Sequence, residues 1–172
     1  MTQDVSQWIP APMTDIDFEL SRRTKRAVRA RMKRCYYNAW RALIGPALPE
    51  LTGALYVEGH AVARSDHVVE HGWLELAGRI VETTNLAQGI PSFQTYYPGL
   101  KYTQDQAQRL AREVGEVPFA WQMYGWGGYD HPAMLGSFIA AWEELHPGAM
   151  LARYSDRLAE LAANWQPQEV TR

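Results

Sequence analysis

The chain has 172 residues, 47% of them hydrophobic, a formal net charge of −2 and a single cysteine. That length suits one domain with a full core, and the near-balanced charge gives the whole molecule no attraction to nucleic acid or membrane. No apolar run approaches the roughly 18–20 residues that cross a bilayer, and one cysteine excludes an internal disulfide, so a cytoplasmic, reducing setting is expected.

The opening MTQDVSQWIPAPMTD lacks the charged start and apolar middle of a signal peptide. Residues 1–14 read as an irregular arm, residues 15–166 as a single α+β domain and residues 167–172 as a tail. Thr14 or Asp15 is placed to cap a helix running to about residue 31. A second helical stretch, RCYYNAWRALIG, stops at Gly45-Pro46. One long helix and two helices broken near Met32–Arg34 fit the spacing equally. Eight Lys or Arg and no acid lie between Arg22 and Arg34. Such a run is usually a solvated helix face, and with no aromatic residues interleaved it does not favour nucleic acid.

ALYVEGHAVA then reads as a strand, and VVEHGWLEL with RIVETT as a hairpin around Ala77-Gly78. Residues 85–102, NLAQGIPSFQTYYPGLKY, read as a long loop. Thr103 caps a short helix. FAWQMYGWGGYD has no period, and its glycines let backbone approach a ligand closely. Asp130 is expected to cap a helix from Pro132, and Pro147-Gly148 separates this from a last helix. Helices, then a small antiparallel sheet, then helices make an α+β pattern.

The hairpin carries chemistry. Alternate strand residues share a face, which puts Val69, His71, Trp73 and Glu75 together. With a two-residue turn, Leu76 faces Arg79 and Trp73 faces Glu82, so His71 and Glu82 become diagonal neighbours with Cβ atoms roughly 7–8 Å apart. A carboxylate on one imidazole nitrogen fixes the tautomer and favours the imidazolium. The other nitrogen is then free to serve Cys35, whose thiol is lowered by an imidazolium and by a helix N-terminus.

RCYYNA, YVEGHAV, EHGWLELAGRIVETT and YYPGLKY together resemble the transglutaminase-like branch of the papain-like cysteine superfamily, over about residues 33–102. Its members carry a Cys on a helix, a His on a strand and an acid on the next strand. The resemblance implies a helix carrying Cys packed on a small antiparallel sheet, with extra helices at both termini. It implies a catalytic set of Cys35, His71 and Glu82. Glu82 stands where the family has Asp, Thr83 where it has Pro, and Gly72 where Ala follows the His. No Gln precedes Cys35 to donate to an oxyanion, a role that backbone N–H groups can fill.

The expected function is cysteine-dependent acyl transfer through a thioester, foremost hydrolysis of a peptide, isopeptide or other amide bond. No cofactor is implied, and the expected partner is a protein, peptide or small amide. Trp73, Trp126 and Tyr129 are the expected substrate contacts, with Trp126 and Tyr129 preferred over Trp121. The alternative is a catalytically inactive module of the same fold that grips a protein or small ligand with its aromatic, glycine-rich segment. Its basis is the departure at the acid, Glu82 where the family has Asp; separately, a lone cysteine on an apolar stripe is more often core than catalyst. A metal held by His67 and His71 is not expected, because four strand residues span about 13 Å at roughly 3.3 Å each.

Overall fold

A computed structural model describes residues 5–45, 48–87 and 90–165. Pro46 and the tail 167–172 lie outside them. The arm crosses the sheet. Met13 exchanges backbone hydrogen bonds with Tyr96, and Asp15 and Asp17 do so with Ile80. This bridging keeps residues 13–16 extended. The first helix, α1 (Phe18–Ala27), therefore starts later than expected, capped by Asp17 rather than Thr14 or Asp15 through the Leu20 N–H.

There are two helices here, not one. Arg29 and Lys33 adopt positive φ (49° and 61°), which ends α1 and turns the chain before α2 (Cys35–Ile44). Buried Asn38 fastens this turn. Its side chain accepts from the Arg31 N–H (3.2 Å) and donates to the Arg31 carbonyl (2.7 Å) and to Thr84 Oγ1 (2.8 Å).

The sheet contains β1 (Leu55–Ala63), β2 (Val68–Leu76), β3 (Arg79–Val81) and β6 (Phe93–Tyr102) in the order β3-β2-β1-β6. A separate two-residue pair comprises β4 (Leu86–Ala87) and β5 (Ile90–Pro91). The hairpin register is the expected one. Leu76 pairs with Arg79 across Ala77-Gly78, both at positive φ (50° and 78°), a backbone that matches strand twist.

Two expectations are corrected. Residues 85–102 are not a loop, since Phe93–Tyr102 forms a full edge strand on β1. Two register shifts and Pro98 hide its alternation, and an edge strand tolerates proline because its outward N–H needs no partner. RIVETT is a strand only to Val81. Beyond it the Glu82 carboxylate takes the N–H groups of Thr84 (2.7 Å) and Asn85 (3.0 Å), bending the backbone out of the ladder.

One sheet face packs on α2 through a core that includes Tyr56, Leu74, Tyr102, Ala39 and Leu43, together with α3 (Gln104–Glu113) and α4 (Phe119–Tyr124). Beyond α4 come a 3₁₀ turn at Trp126–Gly128, α5 (Pro132–Leu145) and α6 (Ala149–Asn164). The opposite face buries Val57, Trp73, Ile80, Phe93 and Tyr96 beneath the N-terminal arm. Trp73, Tyr56, Tyr96 and Phe119 are the largest wholly buried side chains, and truncating an aromatic core residue costs about 3–5 kcal/mol. The cap of α5 is His131, not Asp130. The His131 ring accepts from the Ala133 N–H (3.0 Å), while Asp130 pairs with Arg157 (2.9 Å).

Candidate functional site

Within β2, β3 pairs with Leu74–Leu76, and the N-terminus of α2 approaches β2 beyond that pairing. Gly72 permits the approach, since a Cβ there would lie 2.6 Å from Tyr36 Cδ1 and 2.9 Å from Tyr36 Cα. Glycine after His71 is thus what a bulky Tyr after Cys35 requires.

The structure brings Cys35, His71 and Glu82 together. His71 Nε2 lies 2.7 Å from Glu82 Oε2, with both side chains buried. Nδ1 is left for the Cys35 thiol, with which His71 also hydrogen-bonds. Cys35 is the first residue of α2 and is partly exposed. Burial pushes its thiol up. The charge and hydrogen bond of His71, with the backbone N–H groups of Gly72 and Tyr36, outweigh that and hold it below its ordinary value. Burial likewise opposes the charged form of His71, but Glu82 and Cys35 raise it well above the usual imidazole range. Glu82 is held low by His71 and the Thr84 and Asn85 N–H groups, against the opposing effect of burial.

Sequence reasoning missed the rest of the acid's surroundings. Tyr96 donates to Glu82 Oε2 (2.9 Å), and Ser21 Oγ accepts from the Glu82 N–H (2.9 Å). Both Glu82 oxygens are therefore occupied, which anchors the longer carboxylate. Phe93 lies 4.6 Å and Tyr96 6.0 Å from the His71 ring, centroid to centroid. Reading residues 85–102 as a loop removed both from view. Trp73, expected to touch substrate, is corrected here. It is wholly buried and stacks beneath His71 at 6.1 Å, so it supports the imidazole and meets no ligand.

Trp126 and Tyr129 do lie in a surface cluster. Trp126 is 79% exposed and sits 4.6 Å from the ring of Trp121. Glu70 accepts from Trp121 Nε1 (2.9 Å) and Tyr129 hydroxyl (3.2 Å), and its half-buried carboxyl is raised chiefly by burial. Trp121 meets Tyr36 edge-on at 6.4 Å, which links this wall to the residue beside Cys35. Tyr129 also stacks on His60, a histidine that burial lowers to about 3. Behind the wall, buried Glu58 accepts from the Phe119 and Ala120 N–H groups (2.7 Å each) and from Tyr56 hydroxyl (2.8 Å). Burial, partly offset by those bonds, pushes Glu58 up to about 7.

No group of three or more metal-ligating side chains occurs among the described residues, and no described helix is long and apolar enough to cross a membrane. No family model, curated protein or solved structure matches the chain.

Proposed function

We propose that the protein is a cysteine-dependent acyl-transfer enzyme on a papain-like, transglutaminase-like core, acting foremost as a hydrolase of peptide, isopeptide or other amide bonds. The observation that carries this reading is a hydrogen-bonded chain. A thiol at a helix N-terminus meets His71, which meets Glu82 at 2.7 Å. Cys35 Sγ, as thiolate, attacks the carbonyl carbon of the amide. His71, as imidazolium, gives its proton to the leaving amine as the C–N bond breaks, and a thioester remains. Water then attacks that thioester while His71 takes its proton. The acid product leaves as the C–S bond breaks, and the Cys35 thiolate and His71 imidazolium are restored. An amine in place of water gives transamidation. Glu82 positions His71 and stabilises its charge without touching substrate. The Cys35 N–H, at a helix position with no intrahelical acceptor, is suited to receive the oxyanion. Trp126 and Tyr129, joined to Tyr36 through Trp121 and Glu70, form the aromatic wall offered to substrate.

The test is the rate of Cys35 alkylation by iodoacetamide against pH, in the native protein and in His71→Ala. The reading expects a thiol reactive at pH 6 that becomes at least tenfold slower in the variant. A thiol that titrates near about 8.5 and ignores His71 would sink it. A second reading, a catalytically silent module gripping a ligand with residues 119–130, draws on the exposure of Trp126. It expects ligand affinity that falls in Trp126→Ala while Cys35 stays inert.

A further inference from the structure

The acyl chemistry leaves the basic run unassigned. Arg22 and Arg23 are neutralised by Glu19 and Glu50, and Lys25 donates to the Leu86 carbonyl. The rest of the run is different. Arg26, Arg29, Arg31, Lys33 and Arg34, joined from α2 by Arg41, are exposed, and none forms an ion pair among the described residues. So many unpaired like charges on a chain of net charge −2 repel one another, and a bound anion relieves that repulsion.

The turn is held in place rather than merely solvated. Its backbone is tied by Asn38 to Thr84, two residues past Glu82, and two of its cationic residues keep positive φ, a conformation that persists only where surroundings enforce it. Two concavities share Arg29 as a wall. One, of 360 Å³, is lined by Arg22, Lys25, Arg26, Arg29, Ala30 and Leu86. The other, of 120 Å³, is lined by Arg29, Arg31, Arg34, Tyr37, Asn38 and Arg41. The second includes Arg34, the residue that precedes Cys35.

We infer that this face docks an acidic peptide segment of the substrate, delivering the neighbouring amide to Cys35. The inference rests on the acyl-transfer reading. Guanidinium forks take carboxylates in bidentate pairs, and two small neighbouring hollows suit successive Asp or Glu side chains. Nucleic acid fits less well. The hollows hold one aromatic ring, Tyr37, which lies under the Arg34 guanidinium at 5.9 Å, where single-strand binding uses a series of rings on which successive bases stack.

The experiment uses the full chain carrying Cys35→Ala and a fluorescein-labelled octapeptide of alternating Glu and Gly, read by anisotropy at low and physiological salt. The expected result is binding that weakens at least tenfold in an Arg29→Gln, Arg34→Gln, Arg41→Gln variant and falls with salt, with no binding of the matching Lys peptide. In the native chain, saturating Glu peptide should slow Cys35 alkylation severalfold. Peptide binding untouched by the substitutions, or a single-stranded oligonucleotide of equal charge binding tenfold tighter than the peptide, overturns the proposal. The two readings fail separately. Loss of peptide binding with His71-dependent alkylation intact removes the docking face alone. An inert Cys35 with peptide binding intact removes the chemistry, and with it the delivery role.

Discussion

Replacing Glu82 by Gln in a Cys35→Ala background isolates the acid's hold on His71. Removing the thiol leaves Glu82 as the remaining named cause that raises the imidazole. The Nε2 to Oε2 distance of 2.7 Å puts the charge centres about 4 Å apart, which is about 4 kcal/mol at an effective dielectric near 20. At 1.36 kcal/mol per pH unit this is about three units. With its one carbonyl oxygen on the Thr84 and Asn85 N–H groups, Gln preserves the bend and removes the charge, and its NH2 group then faces His71 Nε2 and can donate to the neutral imidazole. The His71 midpoint, followed by NMR of the ring nitrogens, should therefore fall by one to three pH units between the single and double variants. Burial, then unopposed, should carry it to or below the free value of about 6.5. A midpoint that moves by less than a few tenths of a unit would refute the reasoning, because the 2.7 Å contact would then carry no charge interaction.

Stability should follow the same couple. A depressed carboxylate stabilises the fold above its unfolded value of about 4.3, and that contribution is lost as pH falls through its folded midpoint. Urea unfolding of the wild type should therefore lose more stability below pH 4 than Glu82→Gln does. Glu58 runs the other way. Raised to about 7, it favours the fold most below about 4.3, and this support is lost as pH rises to 7. Glu58→Gln should flatten the wild-type decline between pH 5 and 7.5, worth up to about 3 kcal/mol by linkage. Gly72→Ala drives a Cβ into the Tyr36 backbone. It should cost about 1–3 kcal/mol and slow Cys35 alkylation, both absent if α2 can simply slide. Asn38→Ala removes three hydrogen bonds and leaves the Arg31 backbone groups unpaired. An expected cost of about 2–3 kcal/mol is checked by thermal unfolding.

The hairpin was legible because a two-residue turn at Ala77-Gly78 sets Trp73 opposite Glu82, a register that puts His71 beside the acid and that a three-residue loop would have shifted. Cys35 was legible through the hairpin chemistry and the resemblance together, since its position on an apolar stripe by itself also fits a core residue. What stayed hidden depends on contacts between distant segments. The bridging of Asp15 and Asp17 to Ile80 delays α1. Asn38 reaching across to Thr84 gave no local signal. Tyr96 was lost because YYPGLKY carries turn-forming residues inside a strand. Trp73 was misjudged because strand alternation gives a face without telling whether that face is wet.

The register shift beside Gly99 has a consequence for how this chain can vary in length. Tyr96 and Tyr102 are six residues apart, an even interval that in a regular strand would set them on one face. They serve opposite cores, and the single extra residue between Pro98 and Leu100 makes that possible. Deleting one residue there is therefore no harmless trimming of an edge. It would force a choice between burying Tyr102 and keeping Tyr96 on Glu82, so one lost codon would act as a parity error felt within the support of the imidazole itself.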